Sequence, residues 1–229
     1  MPNKELNKLK NVGPATIAQL NNLGIQSIQD LCFHLPINYQ DKTKIMQISD
    51  IDVGDEAFVE GKILSVQTIY KPRKMLVAKI SNGSSFFNLR LFYFHPNQSK
   101  QFRSGAHIRC FGKTSLSRYG LEMIHPDYQI MQNITPLSKT LNPVYRITKG
   151  ISQNKMRSLI KLAMDDYNFE DEEIDLSRFY NDESLTVREA LNIIHAPDAT
   201  IPIDELTPGG THPARAVSYT HLRAHETEL

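Results

Sequence analysis

The segment FFNLRLFYF, residues Phe86 to Phe94, reads as a β-strand, and its period decides the architecture. Successive side chains of a strand point to opposite faces. Phe87, Leu89, Leu91 and Tyr93 therefore share one face, which reads as core, while Asn88, Arg90, Phe92 and Phe94 share the other. That second row mixes polar, cationic and aromatic groups. It fits two roles: rings that plug the end of a small barrel, or a face that stacks bases. The surrounding charge favours the second. From Gly61 to Leu121 there is no Asp or Glu, while eleven Lys and Arg occur, with Glu60 and Glu122 at the two edges. The chain total is +1, so removing these eleven leaves −10 on the rest. A nearly neutral chain thus contains a strongly basic module. A basic field with aromatics set in it is the footprint of a surface that meets phosphates and stacks bases.

Working outward, residues 57–69 alternate through Val59, Gly61 and Ile63, and residues 74–81 through Leu76, Ala78 and Ile80. Ser81-Asn82-Gly83-Ser84 predicts a tight hairpin, because Asn-Gly accepts the positive φ angles such a turn needs. A short polar piece over 96–103 reads as helical. Residues 106–113 form a fourth strand, with Ile108 and Cys110 inward and His107, Arg109, Phe111 and Lys113 outward. Tyr119-Gly120 turns into a fifth strand near Leu121 to Ile124. Five strands with a helical piece between the third and fourth make the layout of an OB-fold barrel. Such barrels bind nucleic-acid strands on the face of strands two and three and on adjoining loops. The Lys71-Pro72-Arg73-Lys74 loop stands at one rim of that face. The candidate contacts are Phe92, Phe94, Arg90, Lys71, Arg73, Lys74, Arg109 and Lys113.

The flanks are helical, so the fold class is α+β. Residues 3–35 read as two short helices: Pro14 opens one carrying Ile17, Leu20 and Leu23, and Gly24 closes it. Ser27 caps a second with Ile28, Leu31 and Cys32, ending before Pro36. The pair resembles a helix-hairpin-helix unit, in which N–H groups at Gly13 would grip a phosphate; a plain helical hairpin packed on a neighbour fits the same residues. Ile45, Ile48 and Ile51 in the following connector dip toward a core. Beyond Pro136 and Pro143, helical patterns cover 152–166 (Met156, Leu159, Ile160, Ala163) and 185–195, with Thr186 as cap. Met164 to Leu206 holds thirteen acids against Arg178 and Arg188. That stretch either packs on protein and orients the basic module, or is a solvated face. The divisions are thus 1–44 (helical), 45–133 (barrel), 134–215 (helical linker) and 216–229 (tail).

Composition is that of an ordinary globular chain, 40% hydrophobic and 22% charged. No run approaches a membrane span and no signal core follows the first lysines, so a cytoplasmic location without membrane association is expected. Cys32 and Cys110 sit among apolar neighbours and read as buried thiols. Gly112-Lys113-Thr114 imitates the end of a phosphate-binding loop, but position 107 is His and the pattern is strand throughout. His221 and His225 lack a third metal ligand at a sensible spacing. The acids at Asp165, Asp166 and Glu170 to Glu173 read as a surface cluster. No catalytic or metal residue is assigned.

Several segments in order carry a resemblance: Val12-Gly13-Pro14, Asp30-Leu31 with His34-Leu35-Pro36, Tyr39-Gln40-Asp41, Gly120 with Glu122-Met123-Ile124-His125-Pro126, Pro143-Val144-Tyr145, Leu185 to Ala190 before His195, and Gly210 with His212-Pro213. From about residue 10 to about 215 the chain resembles the N-terminal half of the RecG family of bacterial ATP-dependent DNA helicases. The resemblance implies a wedge domain that sits at a branched DNA junction, splits its arms and stacks exposed bases. It implies a monomer acting in fork regression, branch migration, recombination and DNA repair on replication forks and Holliday junctions. The family's Phe-Asn pair at the end of the third strand aligns with Phe92-Tyr93, which makes Phe92 the stacking residue, with Tyr93 in place of Asn and Phe94 as helper. ATP and Mg would belong to a motor beyond His212-Pro213, whose Walker and helicase motifs are absent here, so these residues alone should bind DNA without hydrolysing ATP. The tail from about Val217, VSYTHLRAHETEL, departs from the family and resembles translated sequencing adapter. The competing expectations are a general single-strand-binding OB-fold module, with no preference for branches, and a protein-interaction module built on the acidic helices.

Overall fold

The computed structural model describes residues 6–71, 73–131, 135–169 and 185–218. Two compact units emerge: Lys42–Ser138, and Met1–Asp41 together with Lys139–Leu229.

The first unit is the barrel. Its strands are β2 (Glu56–Ile69), β3 (Met75–Ser81), β4 (Phe86–Leu91), β5 (His107–Ser117), β6 (Gly120–Ile124) and β7 (Asp127–Met131), with helix α3 (Pro96–Gln101) between β4 and β5. β2 pairs with β3, β3 with β4, β4 in parallel with β6, β6 with β5, and β5 returns to β2. Five strands therefore close into a ring, as the layout predicts. The sixth, β7, was not foreseen; it continues β6 along the edge of β5, pairing with His107 to Phe111. Closure needs strands long enough to serve two partners. β2 spends Glu56 to Lys62 on β5 and Lys62 to Ile69 on β3, with a bulge between Ile63 and Ser65.

Gly61 sits where β2 changes partner. A Cβ there would stand 2.6 Å from the Ser81 carbonyl oxygen, so only glycine allows this approach. Gly61→Ala should lower barrel stability by about 1–3 kcal/mol, read as an earlier thermal melt; an unchanged melt would contradict the close approach.

The interior follows strand parity. Ile63, Leu76, Ala78, Ile80, Leu89, Ile108 and Cys110 are buried, and Ile48, Ile51 and Phe102 join the same core. Burial pushes the Cys110 thiol well above its ordinary pKa. The hairpin at Asn82-Gly83 is present, but as a four-residue loop between paired Ser81 and Phe86, and Gly83 alone takes the positive φ, at +103°.

The second unit draws both ends of the chain into one core. Its elements are α1 (Pro14–Asn21), α2 (Ile28–Cys32), β1 (Asn38–Gln40), β8 (Asn142–Val144), α4 (Gln153–Asp166), α5 (Val187–His195) and α6 (Ile203–Leu206). Gly13 caps α1, while Ser27 and Thr186 form capping boxes on α2 and α5. Leu20, Leu31, Met156, Leu159, Leu191 and Val217 share the core, so the tail's first residue packs there. β1 and β8 pair, bringing Tyr39 opposite Pro143.

Hydrogen bonds close this unit. Tyr39 Oη donates to the Ile194 carbonyl at 2.8 Å. Tyr145 Oη donates to His195 Nδ1 at 2.8 Å, and His195 Nε2 donates to the Cys32 carbonyl at 2.7 Å. His34 Nε2 donates to the Arg146 carbonyl, and its ring stacks on Tyr145. These are residues of the motif segments, and here they tie α2 and β1 to β8 and α5.

Residues 170–184, which hold much of the acidic stretch, lie outside the described residues, as do 219–229 with His221 and His225. Among the described residues no helix is long and apolar enough to cross a membrane.

Candidate nucleic-acid interface

β4 ends at Leu91, three residues short of the strand read from sequence. Its partners run out there: the pairing with β3 ends with Leu76 opposite Leu91, and β6 ends at Ile124, opposite Arg90. Beyond that point strand parity no longer governs. Tyr93, placed by parity in the core, is 76% exposed, which corrects that expectation. Phe94, placed on the outer face, is half-buried and packs against the barrel core, so it partly fills the plugging role. Phe87, Leu89 and Leu91 are buried as read.

The bend gathers Phe92, Tyr93 and Phe94 at the barrel rim. His125 is its strut. Held in the left-handed region at φ +49°, it donates its backbone N–H to the Arg90 carbonyl at 2.9 Å, and its Nε2 accepts from Phe92 N–H at 3.2 Å. A non-glycine residue at positive φ is strained and persists only where surrounding bonds fix it. The His125 ring stacks on Tyr93, centroids 6.1 Å apart, and lies 5.9 Å from Phe92. Cations from the β2–β3 loop complete the rim. The Arg73 guanidinium stands 6.0 Å from the Phe92 centroid, and Lys74 Nζ stands 5.1 Å from that of Phe94. Such contacts contribute about 0.5–1 kcal/mol at exposed sites, weak enough for the cation to turn toward a phosphate.

The two edge carboxylates have partners the sequence did not reveal. Glu60 Oε2 accepts from Arg109 Nε at 2.8 Å, and Arg109 Nη1 donates to Thr135 Oγ1 at 3.0 Å. Arg109 is 7% exposed, so the outward position read for it is corrected: it is covered and neutralised. Phe111, also read as outward, is buried against Phe58. Glu122 Oε2 lies 2.5 Å from Arg90 Nη2. Arg90 still lines the outer groove of β2, β3 and β4, together with Lys71, but its charge is balanced. Lys113 is exposed on β5 with Glu56 as its cross-strand neighbour, and Gly13 belongs to the other unit.

The sequence candidates thus separate. Phe92, Tyr93, Phe94, Arg73 and Lys74 meet at one rim, Lys71 and Arg90 line the adjoining groove, and Arg109, Lys113 and Gly13 lie elsewhere. Sequence reasoning missed the role of His125, although its motif was noted. It also missed two ring–cation pairs, Lys79 with Phe86 and Arg118 with Tyr119, with cation-to-centroid distances of 3.6 Å and 4.7 Å.

Fold and surface together define a closed OB-type barrel with an aromatic, cationic rim. A family model, the RecG wedge domain, matches residues 5–167. The chain belongs to that family. The ATP-dependent DNA helicase RecG of Pasteurella multocida (strain Pm70) is 34% identical over 228 residues, which covers 98% of this chain and 33% of that protein. That of Escherichia coli (strain K12) is 33% identical over 227 residues, with the same coverages. A solved structure of RecG bound to a three-way DNA junction superposes with a TM-score of 0.68 at 26% identity, covering 85% of this chain and 27% of that one. The chain spans about a third of the length of these curated relatives.

Proposed function

We propose that the barrel is the junction-recognition wedge of a RecG-type ATP-dependent DNA helicase, and that its rim parts the arms of branched DNA. The observation that carries this is the rim itself: Phe92, Tyr93 and Phe94 in one bend, each ring against a cation or an imidazole. Phe92 is the stacking residue. It is braced from behind by His125, so its ring is pre-oriented for the last base pair of an arm. Tyr93 offers a second face, while Phe94 anchors the bend to the core. Lys71, Arg73 and Lys74 neutralise the phosphates of the separating strands. The likeness to a RecG solved on a three-way junction supports this reading. ATP hydrolysis with Mg, and the work of fork regression and branch migration in recombination and repair, would reside in the two thirds of the relatives' length that this chain does not span.

A fluorescence titration against a fork, a four-way junction, linear duplex and single strand, at two salt concentrations, tests the proposal. Branched substrates should bind tightest, with affinity falling steeply as salt rises. Tightest binding to plain single strand would instead mark a general single-strand binder.

A further inference from the structure

We propose that His95 and His125 are positioning residues that hold the rim in shape only while both imidazoles are uncharged, so that junction recognition weakens in acid. The inference rests on the junction reading above and deepens it by naming what fixes the rim and what releases it.

The bend Phe92-Tyr93-Phe94 runs from the end of β4 to the start of α3, and the same device closes both ends. At the first, His125 Nε2 accepts the Phe92 N–H at 3.2 Å. At the second, His95 caps α3: its Nδ1 accepts the Asn97 N–H at 3.3 Å, while Gln98 Oε1 accepts the His95 backbone N–H at 2.8 Å. A ring nitrogen accepts a hydrogen bond only when it carries no proton. His125 therefore holds its ring proton on Nδ1, and His95 holds its own on Nε2. A second proton turns either acceptor into a donor that faces another donor. At His95 it also puts positive charge on a helix N-terminus, where the exposed N–H groups are already partly positive.

The backbone keeps both rings in place. Each histidine is followed by a proline, Pro96 and Pro126. His95 lies at φ −82° and ψ 148°, the conformation favoured before proline, and Pro96 has no N–H of its own to cap. His125 is pinned at φ +49° by its N–H on the Arg90 carbonyl and by its ring on Tyr93.

The surrounding charges do not favour a charged ring. Arg73 stands over Phe92 and Lys74 over Phe94, on rings of the bend itself. Lys100 is in the last turn of α3. The nearby carboxylates are engaged, Glu122 with Arg90 and Asp127 with Lys42. Tyr93 and Tyr128 bring neutral phenols, and Tyr128 Oη accepts from Gln98. The formed bend thus binds fewer protons than a loose one, so it is favoured as pH rises and lost as pH falls. An imidazole is the side chain that changes charge between about pH 5 and 8, which places the loss in that range.

The test follows the affinity for a three-way junction over that for linear duplex from about pH 8 to about pH 5.5. Taking the ratio removes the general gain in DNA affinity that protonated histidines bring. In wild type it should fall by about fivefold or more, the loss expected for two backbone hydrogen bonds. His95→Asn with His125→Gln keeps an uncharged acceptor at each place, Asn standing for Nδ1 and Gln for Nε2, and should hold one ratio across the range. His125→Phe keeps a ring against Tyr93 without the acceptor, and its ratio should be low at every pH. His195 is present in all three proteins, so acid effects on the helical unit are shared. Proton–nitrogen NMR correlation of the wild-type imidazoles at about pH 8 should show His95 and His125 as opposite neutral tautomers. If the double variant melts below wild type, the tautomers decide. The same pH dependence in wild type and a folded double variant, or one tautomer for both rings, would overturn the proposal. A wild-type ratio of one at every pH would sink the junction reading instead, and the two-histidine clamp would then stand or fall on the tautomers.

Discussion

Lowering the pH from about 7 to about 4 should strip the helical unit of about 3 kcal/mol of stability, and His195 is the main cause. Its ring is enclosed between Tyr145 and the Cys32 carbonyl, with Nδ1 accepting and Nε2 donating, which is the pattern of a neutral imidazole. Desolvation pushes its pKa down to about 4, against the opposing pull of the Cys32 carbonyl. Between that value and its ordinary 6.5 the unfolded chain holds a proton that the folded chain does not. Stability is therefore fully present above about pH 6.5 and is lost as the pH falls toward 4. His34, also lowered by burial, acts in the same direction. Far-ultraviolet circular dichroism across a pH series reads this, since among the described residues every helix but α3 and the short turn at Ile48–Asp50 belongs to this unit. His195→Gln should flatten the dependence between those two pH values. An equal slope in both proteins would refute the assignment.

Arg109→Ala should destabilise the barrel by about 3 kcal/mol, because removing one partner strands the other charge in a poorly solvated site. Arg109 and Glu60 have side chains only 8% and 22% exposed, and Thr135 fills one remaining donor of the guanidinium. The folded fraction of the variant should keep the wild-type preference among DNA substrates, since Arg109 is not at the rim. Arg109→Met with Glu60→Leu should recover much of the loss, as an apolar pair requires no compensation. Urea unfolding followed by tyrosine fluorescence measures the first effect, and DNA titration measures the second. A stable Arg109→Ala chain with weakened DNA binding would restore Arg109 to the interface.

What could be read from sequence was local. Ser27 and Thr186 cap helices within three residues of themselves, Asn82-Gly83 opens a four-residue hairpin loop, and the alternation over Leu76, Ala78 and Ile80 needs no distant partner. Those readings hold. The failures all turn on partners far away in the chain. β4 stops at Leu91 because its pairing with β3 ends at Leu76 and its pairing with β6 ends at Ile124, and nothing inside FFNLRLFYF reports that. Glu60 meets Arg109 from 49 positions away, so an acid-free field looked like a field of free cations. β7 was passed over because its five residues, Asp127 to Met131, have no turn signal beyond Pro126 and gain meaning only as the continuation of β6 along β5. The aromatic rim was legible by residue type but not by orientation, and Tyr93 lies opposite to its parity for that reason. His125 was visible only as part of a familiar segment; its work depends on a positive φ that no neighbouring residue announces.

The most direct test of the wedge is one ratio: the affinity for a three-way junction over that for linear duplex of equal length, measured in wild type and in Phe92→Ala. The rim geometry predicts a ratio well above one that collapses toward one in the variant, a loss of about 1–3 kcal/mol for one stacked base. A wild-type ratio of one, or a ratio untouched by Phe92→Ala in a folded protein, would contradict the account.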